Sequence, residues 1–132
     1  MADGDLSAGA LAERYLLAVA AQDWAGVEAC MAPGVVRLGP YGDDYEGCGP
    51  YLEFLQRTMP SLPGYRLDID RVSGVGDDRV FVELRETVEV DGAPLLTHEC
   101  LVFDVVEHRI ARVAIYIRQD TKMPGAGAGG VP

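Results

Sequence analysis

The stretch Arg79-Val80-Phe81-Val82-Glu83-Leu84-Arg85-Glu86-Thr87-Val88-Glu89-Val90-Asp91-Gly92 decides how the rest of the chain is read. Apolar and polar residues alternate along it, which is the period of a half-buried strand, and Asp-Gly closes it. Glycine supplies the positive φ of a tight primed turn, so Asp91-Gly92 predicts a hairpin. A second strand over 95–106 and a third over 109–118 follow. Successive strand side chains point to opposite faces. Val80, Val82, Leu84, Val88 and Val90 therefore share one face, and Glu86 shares it with them. A carboxylate on an apolar face is the first pointer to chemistry.

Upstream, Leu11, Tyr15, Ala18, Val19 and Gln22 recur at helical spacing and predict a helix over 6–22, with Asp5 or Ser7 able to cap it. Asp23 caps a second, short helix over 24–31, which Pro33-Gly34 is expected to stop. Residues 35–38 read as a short strand, and 39–47, rich in Gly, Pro and Asp, as a loop. A third helix carries Pro50 in its first turn and runs through Tyr51, Leu52, Phe54 and Leu55; Pro60 and Pro63-Gly64 end it. Tyr65, Leu67 and Ile69 alternate with Arg66, Asp68 and Asp70 as another half-buried strand, and 74–78 turns the chain. Helices first and long strands after imply an α+β architecture: three N-terminal helices on a strongly curved mixed or antiparallel sheet, enclosing a cone-shaped cavity. Residues 6–122 form one domain, between a frayed segment at 1–5 and a Gly/Pro/Ala tail at 123–132 that cannot bury enough to offset its ordering.

The chain has 132 residues, 48% of them hydrophobic, enough for one domain with its own core. Twenty-one acids against 11 bases leave a net charge of −10, which argues against nucleic acid or an anionic membrane surface as a partner. No apolar run approaches the roughly 20 residues of a membrane span, and the N-terminus lacks a leader-like pattern. Cys30, Cys48 and Cys100 are odd in number and without CxxC spacing, so the reading is a reduced, cytoplasmic protein with no disulfide framework and no metal site.

Several stretches resemble the NTF2-like, or SnoaL-like, superfamily of small α+β cone proteins. Residues 12–27, from Ala12-Glu-Arg-Tyr15 through Gln22-Asp-Trp24, look like its first helix and the following turn. Glu46-Gly-Cys-Gly-Pro-Tyr-Leu-Glu-Phe-Leu55 is similar to the start of its third helix. Leu101-Val-Phe-Asp-Val-Val-Glu-His-Arg-Ile-Ala-Arg-Val113 looks like its penultimate turn, with Glu107-His108 where Asp-Gly is commoner. The superfamily includes ketosteroid isomerases, limonene-type epoxide hydrolases, polyketide cyclases and non-catalytic binding proteins, so the fold is better specified than the activity. Tyr15 falls where the isomerases place an oxyanion-hole tyrosine, while their base and acid positions hold Gly39 and Leu101. Glu86 falls near the proton-donating aspartate of the epoxide hydrolases, Ile115 where their second aspartate would stand, their paired arginine near Leu84, and Arg37 in place of a water-positioning tyrosine. Val113 corresponds to the last-strand histidine of the cyclases. The resemblance also implies a homodimer through the outer sheet face.

Within that frame Glu86 and Glu99 are the candidate proton movers: a carboxyl in an apolar pocket has its charged form disfavoured, and two such acids can divide acid and base roles. Tyr15 and Arg37 are candidates to stabilise negative charge on oxygen, Arg37 with the option of pairing to Glu86. Trp24, Tyr41 and Tyr51 flank the predicted mouth, and Leu84, Leu101, Phe103 and Ile115 would line the apolar wall. His98 points away by alternation and enters only if the register shifts. Asp43-Asp44 reads as a solvated loop. The expectation is a cofactor-independent enzyme acting on a small hydrophobic molecule, a cyclase or isomerase of natural-product biosynthesis. Epoxide opening is the first alternative, and a non-catalytic ligand-binding or dimerising module the second. An open cavity lined by both acids would favour an enzyme, a filled one the module.

Overall fold

The computed structural model describes residues 6–119; the readings of 1–5 and 123–132 lie outside the described residues. Helix α1 (Ala8–Ala20) starts at Ser7, whose hydroxyl accepts from the Ala10 N–H at 3.1 Å. Helix α2 (Trp24–Cys30) starts at Asp23, whose carboxylate accepts from the Gly26 N–H at 3.1 Å. Both caps satisfy an amide that the first helical turn leaves without a partner.

Strand β1 (Met31–Leu38) is twice as long as its sequence suggests. Pro33-Gly34 does not end α2 at a distance but lies inside the strand, between the pairs Met31–Ile110 and Val36–Arg112, where the register shifts. A proline cannot donate to the ladder, so it is tolerated where the ladder is broken. The loop after β1 contains a two-residue strand, β2 (Tyr45–Glu46), and α3 (Cys48–Thr58) begins two residues ahead of Pro50. A single 3-10 turn, Met59–Ser61, then leads through Pro63-Gly64 into β3 (Arg66–Val75).

The opening stretch is β4 (Arg79–Val90), followed by β5 (Ala93–Val106) and β6 (Arg109–Ile117). Asp91 and Gly92 take φ of 54° and 80°, the two positive values a primed turn requires. Glu107 and His108 do the same at 50° and 65° without a glycine. The six strands form one open mixed sheet in the order β2-β1-β6-β5-β4-β3, in which β1 and β6 are parallel and every other pair antiparallel. The edge strands β2 and β3 do not pair with each other, so the sheet is not closed.

Register puts Val80 opposite Phe103, Val82 opposite Leu101, and those two opposite Val113 and Ile115, so one apolar face runs across three strands. Leu11, Ala12, Tyr15 and Leu16 of α1, with Tyr51 and Leu55 of α3, belong to the same buried cluster as that face. Only the first half of β4 is sealed: Val80, Val82 and Leu84 are buried, whereas Val88 is half-buried and Val90 is exposed. Glu86 sits at the change from one regime to the other.

Candidate active site

Beyond that change the sheet and helices leave a cavity of about 380 Å³. Both predicted acids line it, as do Tyr15, Arg37, Tyr41, Tyr51, Leu101 and Ile115. The placement of the acids follows from pairing: Leu84 is opposite Glu99 and Glu86 opposite Thr97, so the two carboxylates are diagonal neighbours on one face. Each carboxyl therefore opposes the charging of the other. Burial first, and then the neighbouring Glu86, push the Glu99 carboxyl up to about 9, and the opposing attraction of Arg37 is too weak to offset them.

Glu86 has a partner that sequence reading passed over. The Tyr65 hydroxyl donates to Glu86 Oε2 at 2.5 Å. Burial first, and then Glu86, raise the Tyr65 phenol far above its ordinary range, so it is a fixed donor. The signal was present, since Tyr65 alternates in step with Leu67 and Ile69, and Leu67 pairs with Glu86. Two residues along the same face is within reach of a tyrosine.

Arg37 is buried but does not pair with Glu86. Its Nη2 donates to Asp43 Oδ2 at 2.8 Å, and its Nε donates to the Asp43 carbonyl at 3.3 Å. Asp43 is thus half-buried and engaged, where the loop reading made it solvated. Burial acts to raise its pKa, but the guanidinium and the Tyr41 N–H outweigh that and hold it below the ordinary value. The guanidinium carbon also stands 4.7 Å from the Phe54 ring centroid and 5.6 Å from that of Tyr51, a cation–π position over two faces. Gly39 permits this fold of the loop: a β-carbon there would lie 2.1 Å from Asp43 Oδ1 and 2.6 Å from its carbonyl oxygen. No periodicity announces such a contact.

Tyr15 and Tyr51 share a buried hydrogen bond between their hydroxyls, and the Tyr15 ring meets Phe103 edge-on at 5.8 Å between centroids. Burial raises both phenols, so both stay neutral and the pair keeps one O–H beyond the proton that joins them. The cavity therefore presents two polar groups of different kind, a carboxyl pair with a phenol and a tyrosine pair beside a neutralised arginine, between apolar walls.

Four expected contacts fall elsewhere. Leu84 and Phe103 are buried beneath the cavity floor and do not line it, because the helices seal the first half of β4 and the facing part of β5. Trp24 packs against the core from α2 and is not at the mouth. His98 pairs with Arg85 on the opposite face, as alternation required, and does not reach the cavity. Phe54, Val88, Leu95 and Thr97 are lining residues in their place. Burial raises all three thiols, Cys30, Cys48 and Cys100, which keeps them protonated, and none lines the cavity. Among the described residues no group of three His, Cys, Asp or Glu side chains could hold a metal ion, and no helix is long and apolar enough to cross a membrane.

A family model described as SnoaL-like domain matches residues 12–113. A search of curated proteins found no match. Among solved structures, a candidate ketosteroid isomerase from Kribbella flavida superposes with a TM-score of 0.76 at 19% identity, covering 93% of this chain and 86% of that one. An LEH-like epoxide hydrolase from M. tuberculosis gives 0.71 at 22%, covering 82% and 80%. A candidate SnoaL-like polyketide cyclase from Shewanella putrefaciens gives 0.71 at 14%, covering 81% and 86%. At these identities the likeness is one of fold.

Proposed function

The chain belongs to the SnoaL-like domain family, and from that premise we propose that it is a cofactor-independent enzyme acting on a small, mostly hydrophobic molecule by carboxyl acid–base chemistry, a cyclase or isomerase. The observation that carries the reading is the Glu86–Glu99 pair lining an open cavity, with Tyr65 donating to Glu86. A pair that holds one proton contains a base and an acid on the same wall. Glu86 can take a proton from a carbon next to a carbonyl, and Glu99 can return one to a neighbouring position. Tyr15, backed by Tyr51, is a donor for the oxygen on which the charge develops. Arg37 supports that end indirectly, by fixing Asp43 and the loop across the mouth. The non-catalytic alternative loses ground because the cavity is open and its polar groups converge.

Epoxide opening is the second reading. The proton on Glu99 is what a strained ring oxygen needs, and a solved relative in fold is named as an epoxide hydrolase.

Exchange of α-protons from a panel of apolar cyclic ketones into deuterated water, followed by proton NMR, tests the first reading. Wild-type protein should catalyse it and Glu86→Gln should not. Equal exchange by both would sink the assignment, and diol formation from matched epoxides would move it to the second reading. The proposal includes a homodimer through the outer sheet face, where Phe81, Val102 and Tyr116 leave apolar surface between the strands' ion pairs. A monomeric mass by light scattering at micromolar concentration would count against it.

A further inference from the structure

The charges that line the cavity do not balance. Among its described lining residues Arg37 is the one cation, set against the carboxyl groups of Asp43, Glu86 and Glu99. Arg37 is already engaged, at 2.8 Å from Asp43 and over the Phe54 and Tyr51 rings, so that clamp is neutral as a unit. Glu86 and Glu99 then face the cavity with no ion-pair partner among the described residues, and Arg37 acts on Glu99 only from a distance, more weakly than burial and Glu86 do. Buried acids in folded proteins are paired with a base or held by several donors. Here the partner of Glu86 is a neutral phenol, and the neighbour of Glu99 is another acid. Sharing one proton reduces the pair from two negative charges to one.

A mostly apolar pocket lined by a carboxyl pair that carries negative charge is an electrostatic complement for a cation and repels an anion. We propose that the ligand of this cavity carries an amine in its ammonium form, seated against Glu86 and Glu99, with its apolar skeleton against Val88, Leu101, Ile115 and Ile117. The inference rests on the reading of the cavity as a substrate site and names the substrate class. It excludes free carboxylic acids and phosphorylated substrates, for which the described lining residues offer no unengaged cation. The groups facing the carboxyl pair are Tyr65 from the segment ahead of β3, Tyr15 from α1, Tyr51 from α3 and the Arg37–Asp43 clamp from β1 and its loop. None of them supplies a free positive charge.

Isothermal titration of the full chain with phenylpropyl-trimethylammonium, phenylpropanol and phenylpropanoate compares one skeleton in three charge states. The quaternary cation should bind about tenfold or more tightly than the alcohol, a preference of about 1.4 kcal/mol, and the carboxylate should bind weakest. The preference should grow between pH of about 7 and about 9, where Glu99 gives up its proton. The double variant Glu86→Gln with Glu99→Gln should lose the cation's advantage over the alcohol. Equal binding of cation and alcohol, preference for the carboxylate, or no binding of the cation at millimolar concentration overturns the amine assignment. The ketone-exchange assay is independent of these outcomes, so the two readings can fail separately.

Discussion

Tyr65 Oη stands 2.5 Å from Glu86 Oε2, so a phenol from the segment just ahead of β3 holds the acid on β4. Removing that hydroxyl leaves the carboxylate with one donor fewer in a half-buried place. Tyr65→Phe should cost about 1.5–3 kcal/mol of stability, the range for a hydrogen bond to a charged group. Turnover should fall by about 10–100-fold, because the base loses its orientation while the acid itself remains. Urea unfolding and the exchange assay measure the two effects on the same preparation. A variant with unchanged stability and turnover would remove Tyr65 from the site.

Stability should fall as the solution is made alkaline. Glu99 carries its proton in the folded chain up to about 9, against 4.5 when free, because burial and Glu86 oppose its charge. The folded state therefore binds this proton more tightly than the unfolded one. Its contribution is complete below about 4.5 and is lost as pH rises through about 9. Asp43 runs the other way. Arg37 keeps its carboxyl below the ordinary 3.8, so its contribution is present above that value and lost as pH falls through the lower one. The loss on the alkaline side should be on the order of a few kcal/mol, and Glu99→Gln should flatten it. Unfolding midpoints across the range would show the slope; an unchanged slope in the variant would refute the opposition between the two carboxyls.

The Arg37–Asp43 contact can be dissected by a double-mutant cycle. Side-chain exposures of 11% and 26% place it between a surface pair and a buried one. Arg37→Met leaves Asp43 partly desolvated and unpaired, and Asp43→Asn leaves the guanidinium over its rings without a counter-charge. Each should cost about 2–3 kcal/mol, below the full cost of breaking a buried pair. The double variant should cost less than the sum, with a coupling of about 1–2 kcal/mol. Additive losses would mean that the ion pair itself contributes little.

What was legible before the structure divides along physical lines. The hairpin from β4 to β5 could be read because alternation is local and Asp91-Gly92 names its turn. The register that follows put Glu86 and Glu99 on one face and His98 on the other, and the structure has that arrangement. The length of β1 was hidden because Pro33-Gly34 has the chemistry of a stop. A break in the ladder that accommodates proline is set by β6, far along the chain. Asp43 was misread for a related reason: its partner lies on an earlier strand and the contact depends on a loop folding back, which Gly39 allows. Leu84 and Phe103 were placed on the correct face, but alternation cannot tell which part of a face the helices seal.

That distinction separates two substitutions on β5. Phe103 is fully buried and meets Tyr15 edge-on, whereas Leu101, two residues away, borders the cavity. Phe103→Ala should cost about 3–5 kcal/mol, by lost burial and the void left behind. Any change in ligand affinity would then follow only from displacement of Tyr15. Leu101→Ala should cost less, because part of the lost side chain already faces open volume, and it should weaken apolar probes directly. Denaturant midpoints and affinities for phenylpropanol would sort the pair. Equal effects on both readouts would contradict the boundary drawn between floor and wall.

The Tyr15–Tyr51 hydrogen bond supplies the sharpest separation of structure from chemistry. Tyr51→Phe takes away the partner of the buried Tyr15 hydroxyl, at a cost of about 1–3 kcal/mol. Tyr15→Phe leaves the Tyr51 hydroxyl its hydrogen bond with Arg37 and should cost less. The double change removes both polar atoms and keeps both rings, so its stability should lie closer to wild type than the sum of the singles implies. Activity should not recover in the same way. If Tyr15 donates to the developing oxyanion, Tyr15→Phe should lower kcat by about 100–1,000-fold, and the double variant should be no better. Tyr51→Phe keeps the donor and loses its support, so its kcat loss should be about 10-fold with KM little changed. Thermal unfolding and steady-state kinetics on the three variants give the comparison. Recovery of turnover in the double variant would make the pair a packing element and leave catalysis to the carboxyls alone.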